Sequence, residues 1–442
     1  MMNYVKNFLI VLAGAVLSCL VLCRIDVAAI SPGHYLCALA GTQDPGADRK
    51  ASAELSARWA DSTSAEQEQE EQLQNEGMQD AEADSQTAAE SSAEWLDSIG
   101  SEQEREEQIL DKLIRYSDKQ KFEKADTSEF TYREYEDYVV ITGYTGTDTS
   151  VTIPPVIENK AVTYIEFGAF SGNLYLEEVF LPDTVMEVGS TAFSDCKNLR
   201  AVTLGGGTVT ICSGAFSGCG NLKTVTKAEN EQISFPLRNI EASAFRHCSA
   251  LETIDLTYAV TINSYAFEQC SALKEISLER IVHIWDNSFR GCALLEQVSF
   301  PATLEYLGDA SFRDCPLLCA VTFEEGGSAP LKIGGNVFQD SAIEELALPG
   351  RCEEIGYGAF MGCGRLRRFT LQDSGGNTAT QSIGPFAFGQ SDLLTELYLP
   401  ATVEYIDGMN GLSNPDVVLY APENSYARQY AEENNIAWAP WQ

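Results

Sequence analysis

Thirteen cysteines and three histidines are the side chains of this chain best suited to nucleophilic or metal chemistry. Their spacing argues against both. No CxxC pair and no Cys/His cluster occurs, so zinc ligation is not expected. His247 adjoins Cys248, yet adjacent side chains diverge, and a Cys/His dyad is not expected either. There is no HExxH, no GxSxG, no Walker A loop and no GxGxxG between a strand and a helix. Carboxylates are plentiful but follow no calcium-loop pattern. The sequence therefore predicts no catalytic residue, no cofactor and no metal site, and reads as a non-enzyme.

The cysteines are better explained by the elements that carry them. Seven of them, Cys196, Cys219, Cys248, Cys270, Cys292, Cys315 and Cys363, stand three residues after a recurring phenylalanine. That anchor occurs ten times, at Phe170, Phe193, Phe216, Phe245, Phe267, Phe289, Phe312, Phe338, Phe360 and Phe388, at intervals of 22 to 29 residues. A period of this size marks a stacked solenoid, and it lies in the range of leucine-rich repeats. Five residues before each anchor stands an aliphatic, from Ile165 and Val188 to Ile355 and Ile383. Six after it stands a leucine, except in the eighth copy, which uses Ile343 one place earlier. An apolar-x-apolar triplet follows, such as Val202-Thr203-Leu204, whose alternation turns its outer members inward on a short strand. No coil covers this stripe alone, so each is stable only against its neighbours. The recurring thiol reads as a reduced, buried ladder of small residues, since Asn173, Ser341 and Ser391 replace it elsewhere. Register places His247 in a surface turn and His283 at an outward polar position.

Ahead of the repeats the composition changes twice. Phe8 to Cys23 is a run of sixteen apolar or small residues. At 1.5 Å per residue it spans about 24 Å, short of a hydrocarbon core of ~30 Å. Residues 1–29 thus read as either a cleavable signal peptide or a single transmembrane anchor flanked by Lys6 and Arg24. Residues 42–128 are rich in Glu, Gln, Ala and Ser and are expected to form a disordered acidic low-complexity spacer. They contain a duplication at an offset of 36 residues, in which Trp59-Ala60-Asp61-Ser62 recurs as Trp95-Leu96-Asp97-Ser98. A solvated spacer and two copies of a partner-binding peptide anchored by Trp59 and Trp95 are both consistent with it. With 29 Lys+Arg against 65 Asp+Glu and a net charge of −36, the chain lacks the basic surface a nucleic-acid binder needs.

Gly143-Tyr144-Thr145-Gly146, Ile153-Pro154, the run from Val162 to Phe170, Ala192-Phe193-Ser194-Asp195-Cys196-Lys197-Asn198-Leu199 and the closing Ser425 to Ala431 resemble the BspA-like, treponemal-type leucine-rich repeats of bacterial surface proteins. The resemblance covers roughly residues 130 to 442. It implies a secreted or surface-tethered solenoid that binds host or neighbouring-cell proteins and leaves the ligand open. Many relatives carry a C-terminal wall-anchoring motif; none shows here, so the N-terminal segment is expected to provide any tether. Residues 130–160 read as an N-terminal cap, 161–412 as the solenoid, and 413–442 as a C-terminal cap in which Ser425 starts a helix carrying Tyr426 and Tyr430 on one face.

The outward members of the triplets form a column that is the candidate binding face: Phe180, Thr203, Thr226, Asp255, Ser277, Ser299, Thr322, Ala347, Thr370 and Tyr398. Long intervals place insertions at residues 227–237, 324–330 and 372–381 along one edge, where a loop-built recognition rim is a second candidate. The expected function is recognition of a protein or glycan at the cell surface, with no nucleic acid and with membrane contact only through the N-terminal segment. A purely architectural envelope protein is the alternative, and an enzyme with its site in the insertions a remote third.

Overall fold

Ten coils, each too small to bury its own apolar side chains, stack in the computed structural model into one parallel solenoid. The structure describes residues 101–120, 122, 126–228, 230, 232–373, 381–408, 412 and 414–441. Residues 1–29 and the two tryptophans of the duplication lie outside them. Among the described residues no helix is long and apolar enough to cross a membrane.

The aliphatic five residues before each anchor lies on a strand of two to six residues that pairs in parallel with its equivalents, Ile165 with Val188, Val188 with Ile211, and onward to Ile406. Thirteen strands follow one another in this ladder, from Phe130–Glu134 to Val403–Ile406, so it extends past the ten anchored coils at both ends. The anchors stack inside it, with ring centroids 4.7 Å apart between Phe170 and Phe193 and 5.2 Å apart between Phe245 and Phe267. Tyr144 continues the stack below Phe170 at 5.4 Å, which ties the antiparallel pair Phe130–Glu134 and Tyr138–Tyr144 to the first coil.

A second wall is built from the turn around each anchor. The residues two before and two after it have positive φ in every coil, from Gly168 and Gly172 to Phe386 and Gln390. Backbone N–H groups at those positions and at the anchor itself donate to the next coil, as in Thr191 to Ser213 (2.9 Å), Phe193 to Ala215 (2.7 Å) and Asp195 to Ser217 (2.8 Å). The cost of about 1–2 kcal/mol for a left-handed non-glycine residue is thereby set against three inter-coil bonds per turn. Thr191, Tyr265 and Phe386 bear that cost at φ of 53°, 64° and 54°.

The cysteine ladder belongs to this wall and is more than small-residue packing. The thiol of Cys196 donates to the carbonyl of Phe170 in the preceding coil (3.2 Å), Cys219 to Phe193 (3.0 Å), Cys270 to Phe245 (3.2 Å) and Cys363 to Phe338 (3.2 Å). Ser391 makes the same bond to Phe360 through its hydroxyl at 2.9 Å. Burial pushes Cys248 and Cys315 up to about 12 and Cys363 up to about 11, so these thiols stay protonated and donate. The same shift makes them poor nucleophiles.

The third wall carries the triplet strands and is discontinuous. Parallel pairing runs from Ser150–Thr152 to Thr253–Ile254, resumes for Gln297–Phe300 with Ala320–Phe323, and resumes again from Glu345–Leu348 to Ala437–Pro440. Residues 274–278 of the fifth coil join no strand, and no backbone bond among the described residues links them to the coil on either side.

The acidic stretch ahead of the repeats is not wholly a spacer. Glu102–Lys119 form a helix, α1. Its first turn is closed by Ser101, whose Oγ accepts from the Glu104 N–H (3.2 Å) while the Ser101 N–H donates to Glu104 Oε2 (3.1 Å). The remainder belongs to the repeat unit and lies on it. Ile109 and Leu113 are fully buried, and Tyr116 donates to Asp183 (3.4 Å) and accepts from Asn230 (3.0 Å). Ile109, Leu113 and Tyr116 lie at i, i+4 and i+7, so an acidic composition hid a narrow apolar stripe. The seat is Gly205-Gly206-Gly207: a Cβ on Gly207 would stand 2.7 Å from Leu113 Cδ2, and one on Gly206 1.9 Å from the Ile233 carbonyl.

At the other end Tyr426–Glu433 form the second helix, α2, with the Ser425 hydroxyl accepting from the Arg428 N–H at 3.2 Å. Its buried face is Ala427, Tyr430 and Ala431, while Tyr426 is 37% exposed at the rim.

Candidate functional site

The candidate column is exposed or half-exposed at every position. It is not one column. Phe180, Thr203 and Thr226 stand in register on paired strands, and so do Ser299 with Thr322, and Ala347 with Thr370 and Tyr398. Asp255 falls beyond the end of its strand and accepts the Thr257 N–H at 3.0 Å, turning the chain away, and Ser277 lies in the unpaired fifth coil. The structure thus brings the expected residues together in three groups and leaves Asp255 and Ser277 off the ladders. Thr322 donates to Ser299 at 3.0 Å, and Tyr398 stacks on Tyr420 with centroids 4.4 Å apart. The column itself is hydroxyl-rich and aromatic, while the same strands also turn the charged Glu178, Glu345, Arg368 and Glu396 outward.

The insertions do not act as one rim. The first, residues 227–237, is partly enclosed: Asn230 and Gln232 meet α1, with Gln120 donating to Gln232 Oε1 at 2.9 Å, while Phe235, Pro236 and Leu237 are buried. The second, residues 324–330, is largely exposed and lies over the buried Arg351, whose guanidinium donates to the Ala329 and Leu304 carbonyls. The third lies mostly outside the described residues.

Behind the first insertion is a cleft that sequence reading missed. It is small, about 60 Å³, and partly open to solvent, between the strand end at Thr226 and Lys227, the loop from Ser234 to Leu237, and Ile254, Asp255 and Tyr258 of the next coil. It opens because the fourth-coil strand stops at Ile254 while the third-coil strand continues to Lys227. Lys227 Nζ donates to the carbonyls of Gly205 (3.1 Å) and Thr208 (2.5 Å). Burial holds its ammonium down to about 7, against the partial support of Asp183 and Asp255. A lysine at a strand end reads as a solvated charge in sequence; only the unusual triple glycine one coil earlier marks the spot.

Of the three histidines, His247 and His283 are among the described residues, and neither joins a catalytic or metal-ligating group there. His247 is exposed in its turn at φ 61°, and His283 lies 3.7 Å from Glu305, its pKa lowered by burial. No group of three or more His, Cys, Asp or Glu side chains positioned for a metal occurs among the described residues.

A parallel solenoid with short strands, a recurrent leucine and a stacked aromatic core defines a leucine-rich repeat protein. Six copies of the BspA type leucine rich repeat region match residues 148–234, 226–330 and 331–410, and the chain belongs to that family. No curated protein matches it. Among solved structures it is similar to a leucine rich cell surface protein from Faecalibacterium prausnitzii, at 21% identity over 69% of this chain and 90% of that one, with a TM-score of 0.44. A leucine-rich repeat protein from Bacteroides ovatus gives 19% identity over 73% and 100%, TM-score 0.43. The T. pallidum leucine rich repeat protein gives 20% over 62% and 91%, TM-score 0.30.

Proposed function

We propose that the chain is an exported, non-catalytic recognition solenoid of the cell surface, which binds a protein ligand on the wall carrying its triplet strands. The supporting observation is the registered, exposed run of Phe180, Thr203 and Thr226 and of Ser299 and Thr322, which repeats one hydroxyl-rich outward position along parallel ladders. That column offers uncharged hydrogen-bonding groups, and the overall charge of −36 favours a neutral or basic partner over an acidic one. The N-terminal segment and the acidic stretch that follows it would present the repeats away from the envelope.

The test is site-specific photo-crosslinking in the full-length chain, with the crosslinker at Ser299 or at the exposed Lys197 of the opposite turn wall, presented to intact neighbouring or host cells. The reading expects a discrete adduct from Ser299 only, lost in the Thr203→Arg/Thr322→Arg variant. Equal adducts from both walls, or an adduct that survives the double substitution, would refute it.

A further inference from the structure

The cleft beside the first insertion holds two opposite charges that do not neutralise each other. Lys227 and Asp255 both line it without forming an ion pair, although the carboxylate lends the ammonium some support. The ammonium has two of its three donors on backbone carbonyls, leaving one. Asp255 commits one oxygen to the Thr257 N–H. Between and behind them the wall is apolar, formed by Phe235, Pro236, Ile254 and Leu204, all buried. Anion, cation and apolar wall within one shallow, partly open cleft match the charges of a small zwitterion with a greasy side chain.

We propose that this cleft binds a free apolar amino acid, its α-carboxylate on Lys227, its α-ammonium on Asp255, and its side chain against Phe235, Pro236 and Ile254. An internal peptide residue supplies neither charge and a peptide terminus only one. The site goes beyond the protein-recognition reading and does not use the registered column. It also has a supporting wall: the insertion that carries Phe235 is held on its other side by α1, through Asn230 to Tyr116. Asp183 stands among these groups and also acts electrostatically on Lys227.

The charged groups facing Lys227 are Asp183 and Asp255, with Tyr258 across the cleft. Because burial holds the ammonium at about 7, a bound carboxylate raises its proton affinity. Binding near neutral pH then takes up protons in proportion to the neutral fraction.

The experiment is isothermal titration of the full-length chain with L-leucine, L-methionine and L-phenylalanine at pH 7 in two buffers of different ionisation heat. At least one should bind, with proton uptake. N-acetylation or amidation of that amino acid should each weaken it about ten-fold or more, the loss of one charge-assisted contact. Asp255→Asn, a near-isosteric change at an exposed position, should weaken it similarly, and Lys227→Gln should abolish the buffer dependence. Absence of binding by all three, equal affinity for the N-acetyl or amide form, or unchanged affinity in Asp255→Asn overturns the proposal. Because the readout is a small molecule on the isolated chain, its failure leaves the crosslinking test of the column untouched.

Discussion

If the repeated thiols are hydrogen-bond donors, serine must serve better than alanine in their place. Cys270 is the position to change: it is fully buried, and its Sγ lies 3.2 Å from the Phe245 carbonyl. Truncation to alanine removes one buried heavy atom, about 1 kcal/mol of transfer free energy, and one inter-coil hydrogen bond, about 0.5–1.5 kcal/mol. The sum is about 2 kcal/mol. Serine keeps a donor facing the same carbonyl, as Ser391 does toward Phe360 at 2.9 Å, and should cost about 1 kcal/mol or less. Were the ladder packing alone, the serine hydroxyl would be buried without a role, at a cost of about 1–3 kcal/mol, and the order would reverse. Urea unfolding under reductant, followed by far-UV circular dichroism, reads the order as midpoints. The exposed Cys319→Ala is the control and should stay within about 0.5 kcal/mol of wild type. A Cys270→Ser midpoint at or below that of Cys270→Ala refutes the donor reading.

Leu113→Ala should release α1, because the leucine is wholly buried against Gly207; hydrogen exchange of residues 107–119 would rise while that of the anchors stays slow, and equal protection of α1 in both chains would contradict this docking. Gly207→Ala should do the same from the opposite side of the contact. Replacing Thr191, a β-branched residue at φ 53°, with glycine relieves about 1–2 kcal/mol of strain against roughly 0.5–1 kcal/mol of chain entropy, so its urea midpoint should rise slightly. The ladder thiols are raised in the folded state from the ordinary 9.0 to about 12 at Cys248 and Cys315, so their contribution is complete below about pH 9 and is lost as pH climbs toward 12. A pH series of urea midpoints should fall over that window, and less steeply in Cys248→Ser/Cys315→Ser.

Much of the core was legible because its logic is periodic: an aliphatic, a phenylalanine and a leucine at fixed offsets leave few other folds. What stayed hidden did so for separate physical reasons. A buried thiol donor and a buried small residue look alike in one dimension. The left-handed positions hold glycine in seven of twenty cases, and residues such as Thr191 and Phe386 at the others argue against that backbone. Helix α1 was masked by charge, its contact resting on Ile109, Leu113 and Tyr116 amid glutamates. For the candidate site, alternation correctly turned Thr203, Thr226 and Thr322 outward, but nothing in the triplets announced that one strand stops short of Asp255 and that none forms at Ser277. The cleft depends on where one strand ends relative to its neighbour, which is a property of two coils together.

The unpaired stretch at residues 274–278 has a mechanical corollary. A solenoid under tension carries its load along the stack, from one rung of backbone bonds to the next. Everywhere else in the first six coils three seams share that tension; at the fifth, two do. Stretched from its ends, the stack is more compliant beside Phe267 than at the neighbouring joints of these six coils.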